Sequence, residues 1–431
     1  MLEKILRFLK KYIIPKFLYR FFQPFYHFLL AFLGSVIYCF PSKDLIVVGV
    51  TGTKGKSTTL EIINAILEKA GEKTALFSSV RRKIAERSEP NLYGNTMPGR
   101  FVLQRFFAEA KKAKCRYALV EVTSEGVVRH RHRFILWDVA MFLNLMPEHI
   151  ESHGSFEKYR EAKTSFFRYA ANSRKKKVYF FINEADANAS YFEKAVKKSP
   201  KNFIVFFNVA EFKKSHLYNV LENDWLKTEF NLENTAAAVA FAQSQGIKDS
   251  IIKEALNDFR GVPGRLEFVQ KEPFAVVIDY AHTPDSLEKI YSFLRNNYLL
   301  DKNQKLICVF GSAGGGRDKW KRPVMGKIAS YYCDEIILTN EDPYDENPED
   351  ILTEIEKGVI DAGQFNQHKS VFKVLDRKEA IEKAIALANK SDIVVITGKG
   401  SEAFIHLADG KKIPWNERKT VEEILKKNAS F

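Results

Sequence analysis

The residues best suited to chemistry lie between positions 51 and 58, where the sequence reads Thr51-Gly-Thr-Lys-Gly-Lys-Ser-Thr58. A strand-like apolar run, Leu45–Val50, precedes them, and an amphipathic helical pattern follows. Strand, glycine loop, Gly-Lys-Ser and helix are, in this order, the parts of a loop that binds nucleotide phosphates. The strict pattern has glycine at position 50, so this loop is a variant built on Gly52 and Gly55. The order of its parts predicts nucleotide binding.

Each part of the loop has a predicted role. Backbone N–H groups and the helix N-terminus would bind phosphate oxygens, Lys56 would add positive charge, and Ser57 could ligate Mg²⁺. The predicted ATP-binding residues of the loop are Gly52, Thr53, Gly55, Lys56, Ser57 and Thr58.

Further candidates for chemistry follow downstream. Glu121 stands near the carboxyl end of the apolar run Tyr117–Val122, where ligands gather in open α/β sheets. His149 and His153 are four residues apart, so a helix would place both on one face as a metal pair, whereas a capped turn with surface histidines is the ordinary alternative. By composition alone, Lys163 would be a solvated helix lysine.

The elements that must position these residues alternate between two kinds. The strand-like apolar runs are Leu45–Val50, Tyr117–Val122, Val139–Leu145, Val178–Asn183, Phe203–Asn208, Phe274–Ala281, Leu306–Gly311, Glu335–Asn340 and Asp392–Thr397. Helix-like stretches separate them, and this alternation predicts an α/β fold with parallel sheets covered by helices on both faces.

We expect three parts along the chain. Residues 1–44 form a short apolar helical segment, residues 45–262 a central domain with a P-loop-type, mostly parallel sheet, and residues 263–431 a Rossmann-like C-terminal α/β domain. The stretch Arg260–Arg265 indicates a hinge between the two larger bodies, because glycine and proline punctuate it.

The chain has 67 Lys and Arg against 53 Asp and Glu, and 5 of its 14 net positive charges fall in residues 1–40. The apolar run Phe25–Phe40 is about one turn short of the ~20 residues that span hydrocarbon. We expect residues 1–40 to lie at an anionic membrane surface, on the cytoplasmic face where ATP is available. The alternatives are packing on the protein's own surface or pairing in a dimer. Pro15 and Pro24 are expected to interrupt any long helix there.

Composition excludes several other classes. The four cysteines have no C-x-x-C spacing, which argues against a disulfide framework and a zinc ribbon. Outside residues 1–40 the basic residues form no long run beyond Arg174–Lys177, so we expect no nucleic-acid partner.

Taken in order, the motifs resemble the Mur ligase family, the ATP-dependent amide-forming enzymes of peptidoglycan precursor synthesis. The chain is most similar to the UDP-N-acetylmuramoyl-tripeptide synthetases, which add the third amino acid, and the similarity covers roughly Leu45 to Arg418. Besides the loop, the matching blocks are Asn95–Pro98, Glu121–Ser124, Glu148–Gly154, the region of Lys163, Val262–Glu267, Asp279–Asp285, Gly314–Lys319, Lys321–Pro323, Glu341–Pro343 and Gly398–Glu402.

The resemblance implies a mechanism. ATP would phosphorylate the terminal carboxylate of a muramyl-peptide-like acceptor, and a free amino acid would attack the acyl phosphate. It also implies catalytic roles for Lys56, Glu121, His149 and Lys163 and two Mg²⁺ sites. One would use Ser57 and Glu121, and the other Glu121, His149 and a carbamylated Lys163. A lysine with a depressed pKa can react with CO₂, and the carbamate offers the oxygen ligands that a hard metal accepts.

Other roles are implied by position in the matching blocks. Asn234 would contact adenine, and Arg265 and Asp279 would contact the nucleotide. The acceptor would be bound by Asn95, Thr96 and Ser124, and the incoming amino acid by Arg317, Gly398 and Glu402. The ordinary alternatives are a helix cap for Asn234, a surface charge for Arg317 and a first-turn acid for Glu402.

Three departures from the family pattern bear on specificity. The segment before residue 45 is too short and too apolar for the family's uridine-binding domain, which leaves UDP-linked, lipid-linked and truncated acceptors open. Tyr344 stands where the diaminopimelate-adding members have arginine, so lysine or another amino acid could be added. Two motif histidines are replaced, by Glu125 and by Ser401.

Three alternatives to a muramyl ligase remain at this stage. One is a folylpolyglutamate or poly-γ-glutamate synthetase, which the Thr53–Lys56 segment and a membrane-associated N-terminus would suit. Another is a membrane-associated P-loop ATPase, in which Lys163 and the hinge would have no function. The last is a degenerate member that acts as a scaffold.

Overall fold

The computed structural model describes residues 16–93, 96–148, 153–299, 301, 303–316, 318–362 and 370–428, with side chains from residue 25 onward. Within these ranges the chain forms two compact units. The first takes in the chain up to Pro147 together with Ser155–Phe259, and the second takes in Glu148, His153, Gly154 and the chain from Arg260 onward.

The described strands, numbered β1 to β16 in chain order, are Ile46–Thr51, Thr74–Phe77, Arg81–Ile84, Arg87–Pro90, Tyr117–Glu121, Val139–Phe142, Val178–Asn183, Asn202–Phe207, Glu267–Gln270, Ala275–Asp279, Leu306–Phe310, Glu335–Leu338, Ser370–Lys373, Ile393–Thr397, Phe404–His406 and Lys412–Pro414.

The described α-helices, numbered α1 to α16, are Lys16–Ile37, Lys56–Lys69, Arg100–Lys112, Ser124–Val128, Phe156–Ala171, Ala189–Ala195, Val209–Lys214, His216–Asn219, Asp224–Lys227, Glu229–Ser244, Asp249–Asn257, Pro284–Tyr298, Lys321–Tyr332, Pro348–Asp361, Arg377–Leu387 and Glu417–Asn428. Short 3-10 helices span Pro41–Asp44 and Ala408–Gly410.

The first unit is built on an eight-stranded sheet in the order β4-β3-β2-β5-β1-β6-β7-β8. The six strands from β2 to β8 in this order pair in parallel. Strand β3 pairs antiparallel with β2, and β4 pairs antiparallel with β3 at the edge of the sheet. Apolar side chains pack on both faces, which is why the parallel strands lack an alternating polar pattern. A side chain at Gly49 would overlap two of these core rings, because its Cβ would lie 2.6 Å from Phe166 and 2.7 Å from Trp137.

The second unit contains a six-stranded sheet in the order β13-β12-β11-β14-β10-β9, in which all pairs are parallel except β10 with β9. A hairpin of β15 and β16 accompanies it. The predicted α/β fold, with two mostly parallel sheets, is therefore confirmed, and all nine apolar runs contain strands. The other seven strands, β2, β3, β4, β9, β13, β15 and β16, were not predicted.

The N-terminal helix α1 carries apolar residues on two opposite faces. Ala31, Gly34 and Ser35 are buried on the face that packs against α3. The opposite face exposes Phe25, Leu29, Phe32 and Val36, with Phe25 66% exposed. None of the helices in the described ranges combines the length and the apolar character that crossing a bilayer requires.

The expectation that Pro24 interrupts this helix is wrong, because α1 runs without a break from Lys16 to Ile37. A proline removes one backbone hydrogen bond from a helix, and the remaining turns of this 22-residue helix keep theirs.

Candidate active site

The predicted phosphate loop connects β1 to α2 as expected. Gly55 precedes the helix with φ 82°, a left-handed conformation that glycine adopts without strain. A Cβ atom at this position would also lie 2.1 Å from Oδ1 of Asn234. The loop therefore requires glycine for two separate reasons, its backbone angle and its close approach to α10.

Asn144, at the end of β6, holds the loop from the other side. Its Oδ1 accepts hydrogen bonds from the N–H groups of Thr53 (3.1 Å) and Lys54 (2.9 Å), and its Nδ2 donates to Oε1 of Glu233 (2.5 Å). The sequence analysis missed this residue. A polar side chain at the carboxyl end of an otherwise apolar run is the signal that could have found it.

Glu121 and Ser57 meet beside the loop, because β5 and β1 are parallel neighbours with Val50 in register with Glu121. The Ser57 hydroxyl donates to Oε1 of Glu121 at 2.5 Å, and the N–H of Ser79 donates to the same oxygen at 2.8 Å. Both predicted metal ligands are buried, with Glu121 only 1% exposed. A hydroxyl and a carboxylate oxygen in contact are ligands of the kind that Mg²⁺ prefers.

Two lysines direct their ammonium groups at the loop backbone. Lys56 donates to the carbonyls of Gly52 (3.0 Å) and Thr53 (2.8 Å), and Lys163 donates to the carbonyl of Gly52 (2.7 Å). Lys163 is 2% exposed and lies over the ring of Tyr159, so it is not a solvated helix lysine. Two lysine side chains thus line the phosphate loop, and the positive charge of Lys56 suits an anionic ligand.

Asn234 is neither a helix cap nor exposed. It lies inside α10, is buried, and its Oδ1 accepts a hydrogen bond from Thr59 Oγ1 at 3.1 Å. Its predicted contact with adenine stays a prediction.

Of the predicted acceptor contacts, Ser124 is buried at the first position of α4, and Thr96 is partly buried. Arg131, which the sequence analysis did not single out, is buried nearby and donates to the main-chain oxygen of Met97. Burial and the charges of Arg129 and Arg100 lower the pKa of Arg131 to about 10. This part of the first unit is therefore strongly cationic.

Three predicted site residues, Asn95, His149 and Arg317, lie outside the described residues. Among the residues that are described, no group of three His, Cys, Asp or Glu side chains could hold a metal ion. The Ser57–Glu121 pair fits one Mg²⁺ site by its chemistry, and the second site stays a prediction.

In the second unit, Arg265 and Asp279 come together where β10 ends. Asp279 accepts hydrogen bonds from the N–H groups of Leu266 and Ala281, both at 2.7 Å, and the Arg265 guanidinium lies 4.1 Å from the centre of the Tyr280 ring. Asp279 thereby fixes the turn that carries Arg265.

Glu402 belongs to a buried ionic network in the same unit. Its carboxylate accepts hydrogen bonds from Tyr280 (2.8 Å) and Lys399 (2.6 Å), and Lys399 also donates to Asp342 (2.9 Å). Burial opposes the charge on Lys399, but the carboxylates of Glu402 and Asp342 outweigh it and raise the pKa of the lysine. These contacts replace the interpretation of Glu402 as a solvated first-turn acid.

Gly398 allows a third carboxylate, that of Glu341, to approach this network. A Cβ at Gly398 would lie 2.7 Å from Oε2 of Glu341. Burial raises the pKa of Glu341, and Oε2 is a buried oxygen with no hydrogen-bond partner among the described residues. The sequence analysis used Glu341 only as part of a motif and did not anticipate its burial.

Comparison with known proteins covers both units. The model of the Mur ligase middle domain matches residues 50–242, and that of the Mur ligase glutamate ligase domain matches residues 264–400. The 2,6-diaminopimelate-adding UDP-N-acetylmuramoyl-L-alanyl-D-glutamate ligase of Syntrophomonas wolfei is 36% identical over 412 residues, which is 92% of this chain and 81% of that protein. The chain belongs to the Mur ligase family.

Other relatives agree with this assignment. The UDP-N-acetylmuramyl-tripeptide synthetase of Treponema denticola is 32% identical to this Mur ligase over 423 residues, covering 91% of this chain and 78% of that protein. A solved diaminopimelate-adding ligase superposes with a TM-score of 0.56 at 26% identity, covering 90% of this chain and 79% of that one.

The folylpolyglutamate alternative has support from the fold alone. The Mycobacterium tuberculosis folylpolyglutamate synthase superposes with a TM-score of 0.65, covering 86% of this Mur ligase and 92% of that chain, but at only 16% identity. Membership of the Mur ligase family also argues against the alternative of a membrane-associated P-loop ATPase.

We predict that Gly55→Ala weakens ATP binding about tenfold or more, because the new Cβ would displace Asn234 and the loop. Gly71→Ala is the matched control, since Gly71 has the same φ of 82° but no atom within 4 Å of its Cβ position. The control should lose about 1–2 kcal/mol of unfolding free energy from the left-handed backbone and keep its ATP affinity. Calorimetric titration with ATP measures the affinity of both variants, and denaturant unfolding measures their unfolding free energy. Equal ATP affinities for the two variants would contradict the prediction.

Proposed function

We propose that this Mur ligase uses ATP to join an amino acid to the terminal carboxylate of a muramyl-peptide-like acceptor in peptidoglycan synthesis. The observation that carries the proposal is the combination of 36% identity to a ligase of this activity with a folded phosphate loop. Beside that loop, Lys56, Ser57, Glu121 of β5 and Lys163 of α5 come together at the carboxyl edge of the first unit's sheet.

The first half of the reaction brings two anions together. An oxygen of the acceptor carboxylate attacks the γ-phosphorus of ATP, the bond to the bridging oxygen breaks, and ADP leaves with that electron pair. Because carboxylate and triphosphate repel each other, the step requires cations at the phosphates. Lys56 supplies one of them once it exchanges the carbonyls of Gly52 and Thr53 for phosphate oxygens.

The metal requirement follows from the same repulsion. Ser57 and Glu121 would hold one Mg²⁺, which would supply positive charge beside the phosphates of ATP. We propose a second Mg²⁺ at Glu121, His149 and a carbamylated Lys163. The burial of Lys163 supports this, since a desolvated amine is more readily neutral and able to react with CO₂.

In the second half, the amino group of the incoming amino acid attacks the acyl carbon, an amide bond forms, and inorganic phosphate leaves with the electron pair of its C–O bond. The attacking amine must be neutral, so its proton has to leave first. We propose that Gly398 and Glu402, together with Arg317, bind this amino acid, and that Asn95, Thr96 and Ser124 bind the acceptor. Asn234, Arg265 and Asp279 are the proposed contacts to the rest of the nucleotide.

The amino acid added stays open between diaminopimelate, lysine and others. Tyr344, at the position of the arginine in diaminopimelate-adding members, stacks on His406 with ring centres 5.2 Å apart. An aromatic pair offers no bidentate partner for a distal carboxylate. The Tyr344–His406 pair therefore favours an incoming amino acid that has no distal carboxylate.

We predict that ADP release requires both an acceptor carboxylate and an amino acid. The assay uses UDP- and lipid-linked muramyl dipeptides, folates and a panel of amino acids that includes L-lysine and meso-diaminopimelate. Lys56→Ala should lower the rate about 10²-fold or more through lost charge stabilisation. Lys194→Ala, which changes an exposed lysine of α6, should stay within a few-fold of the unaltered chain. ATP turnover without an acceptor and an amine would contradict a ligase.

We further propose that α1 lies on the anionic cytoplasmic face of a membrane. The exposed stripe of Phe25, Leu29, Phe32 and Val36 supplies apolar contact, and residues 1–40 carry six basic side chains against one acid. Helix α1 also packs on α3, and Arg100 of α3 donates to the main-chain oxygen of His27 at 3.1 Å. Since α3 follows directly on the proposed acceptor segment, membrane binding would bring a lipid-linked acceptor close to its site.

Vesicle sedimentation tests this proposal. We predict that the protein sediments with phosphatidylglycerol vesicles but not with phosphatidylcholine vesicles. The double variant Phe25→Gln/Val36→Gln should bind about tenfold more weakly or worse, because it removes two exposed apolar side chains. Phe206→Gln/Ile360→Gln, which changes apolar residues of similar exposure elsewhere, is the control and should bind normally. Equal binding by both variants would contradict the proposal.

A further inference from the structure

Two loops of the second unit run side by side at the carboxyl edge of its sheet. Strands β11 and β12 are parallel neighbours, with Phe310 in register with Leu338. The glycine-rich loop, residues 311–316, follows β11, and the acidic loop, residues 341–347, follows the end of β12. Ligands of open α/β sheets bind at this edge, so the shape of these loops determines what can bind there.

The glycine-rich loop approaches the acidic loop more closely than a side chain would allow. The N–H of Gly314 donates to the main-chain oxygen of Asp342 at 2.8 Å, and a Cβ on Gly314 would lie 2.2 Å from the oxygen of Pro343. Gly315 and Gly316 have positive φ angles of 72° and 73°. A segment of three consecutive glycines has little conformational preference of its own, so neighbouring groups must fix its shape.

Glu346 is the side chain that reaches the end of this segment. Its Oε1 accepts the N–H of Gly316 at 2.9 Å, while its Oε2 accepts hydrogen bonds from Arg322 (3.0 Å) and Lys319 (3.1 Å). One carboxylate therefore connects the glycine-rich loop, the acidic loop and the start of α13.

Arg322 extends this connection to the other end of the segment. Its side chain is 1% exposed, and the same Nη2 that contacts Glu346 also donates to the main-chain oxygen of Ala313 at 3.2 Å. Its Nη1 donates to Oε2 of Glu354 at 2.9 Å. The glycine segment is thus held at Ala313 and at Gly316 by one ion pair.

The Glu346 side chain stays ionised over the pH range in which enzymes are assayed. Burial alone would raise its pKa, but the N–H of Gly316 and the side chains of Lys319 and Arg322 outweigh burial and lower the pKa to about 2. The carboxylate that holds the loop is consequently ionised at every pH at which activity would be measured.

We propose that Glu346 is a positioning residue for the incoming amino acid, because its carboxylate fixes the glycine-rich loop in the shape that this substrate requires. The inference rests on the proposed function, in which Arg317, the residue after this loop, binds the amino acid together with Gly398 and Glu402. Glu346 itself does not touch the reacting atoms.

The test compares Glu346→Gln and Glu346→Asp with Glu354→Gln in the ADP-release assay. Glu354 is the other carboxylate on Arg322 and makes no hydrogen bond to the described residues of the glycine-rich loop, which makes it the matched control. The amino acid used is L-lysine or meso-diaminopimelate, whichever the unaltered enzyme turns over faster.

We expect Glu346→Gln to raise the KM for the amino acid about tenfold, since a charge-assisted hydrogen bond to the loop is lost. The KM values for ATP and acceptor should stay within about twofold, as should all three values for Glu354→Gln. Glu346→Asp keeps the charge but shortens the reach, so its amino-acid KM should lie between those of the unaltered enzyme and Glu346→Gln. This graded response is not expected from a general loss of folding.

Two results would overturn the inference. One is an unchanged amino-acid KM in both Glu346 variants, and the other is a parallel rise of all three KM values, which would indicate a merely structural role. If Glu346→Gln does not fold, the Glu346→Asp variant decides by the same criteria. Failure of the unaltered enzyme to release ADP would instead refute the proposed function, so the two failures are distinguishable.

Discussion

The contact between Ser57 and Glu121 is the interaction on which the rest of the first unit's site depends. It exists because β1 and β5 are adjacent and parallel, so their carboxyl ends bring a loop hydroxyl and a strand carboxylate to one point. Burying a carboxylate is costly unless its oxygens are hydrogen-bonded or near positive charge. Here the N–H of Ser79 adds a second hydrogen bond, and Lys56 and Lys163 line the loop that follows β1.

The second unit also has charged side chains with little exposure, and more of them lie close together. At the carboxyl edge of its sheet, Lys399 lies between Asp342 and Glu402, and Arg322 lies between Glu346 and Glu354. Buried ion pairs of this kind contribute little net stability, because desolvation offsets attraction. Their value is geometric, since each pair sets the position of a loop that has no regular structure of its own.

Prediction from the sequence succeeded where one residue type or one period carries the information. The nine apolar strands, the strand–loop–helix order around residues 51–58 and the place of Glu121 at the end of β5 are examples, because a buried parallel strand must be continuously apolar and a phosphate loop must contain its glycines and lysine. Asn144, Ser79 and Glu346 could not be predicted in this way. Each acts through contacts with residues distant in sequence, such as Glu346 with Gly316, and a single polar residue after a strand carries no pattern that identifies its partner.

The N-terminal helix is an intermediate case. Its apolar character and basic flank are plain in the sequence, but the split into a packed and an exposed apolar face depends on the position of α3. The predicted break at Pro24 was wrong because it considered only the local effect of proline on a helix and not the packing of the surrounding turns.

A double-mutant cycle on Ser57 and Glu121 tests the central claim most directly, with the dissociation constant of ATP measured in Mg²⁺ and in EDTA. If the two side chains hold one metal ion at the nucleotide, Ser57→Ala and Glu121→Gln should each weaken binding about tenfold or more in Mg²⁺. The double variant should then bind little worse than either single one, because both changes disable the same site. In EDTA all four proteins should bind ATP alike. Additive losses in Mg²⁺, or the same losses in EDTA, would contradict the account.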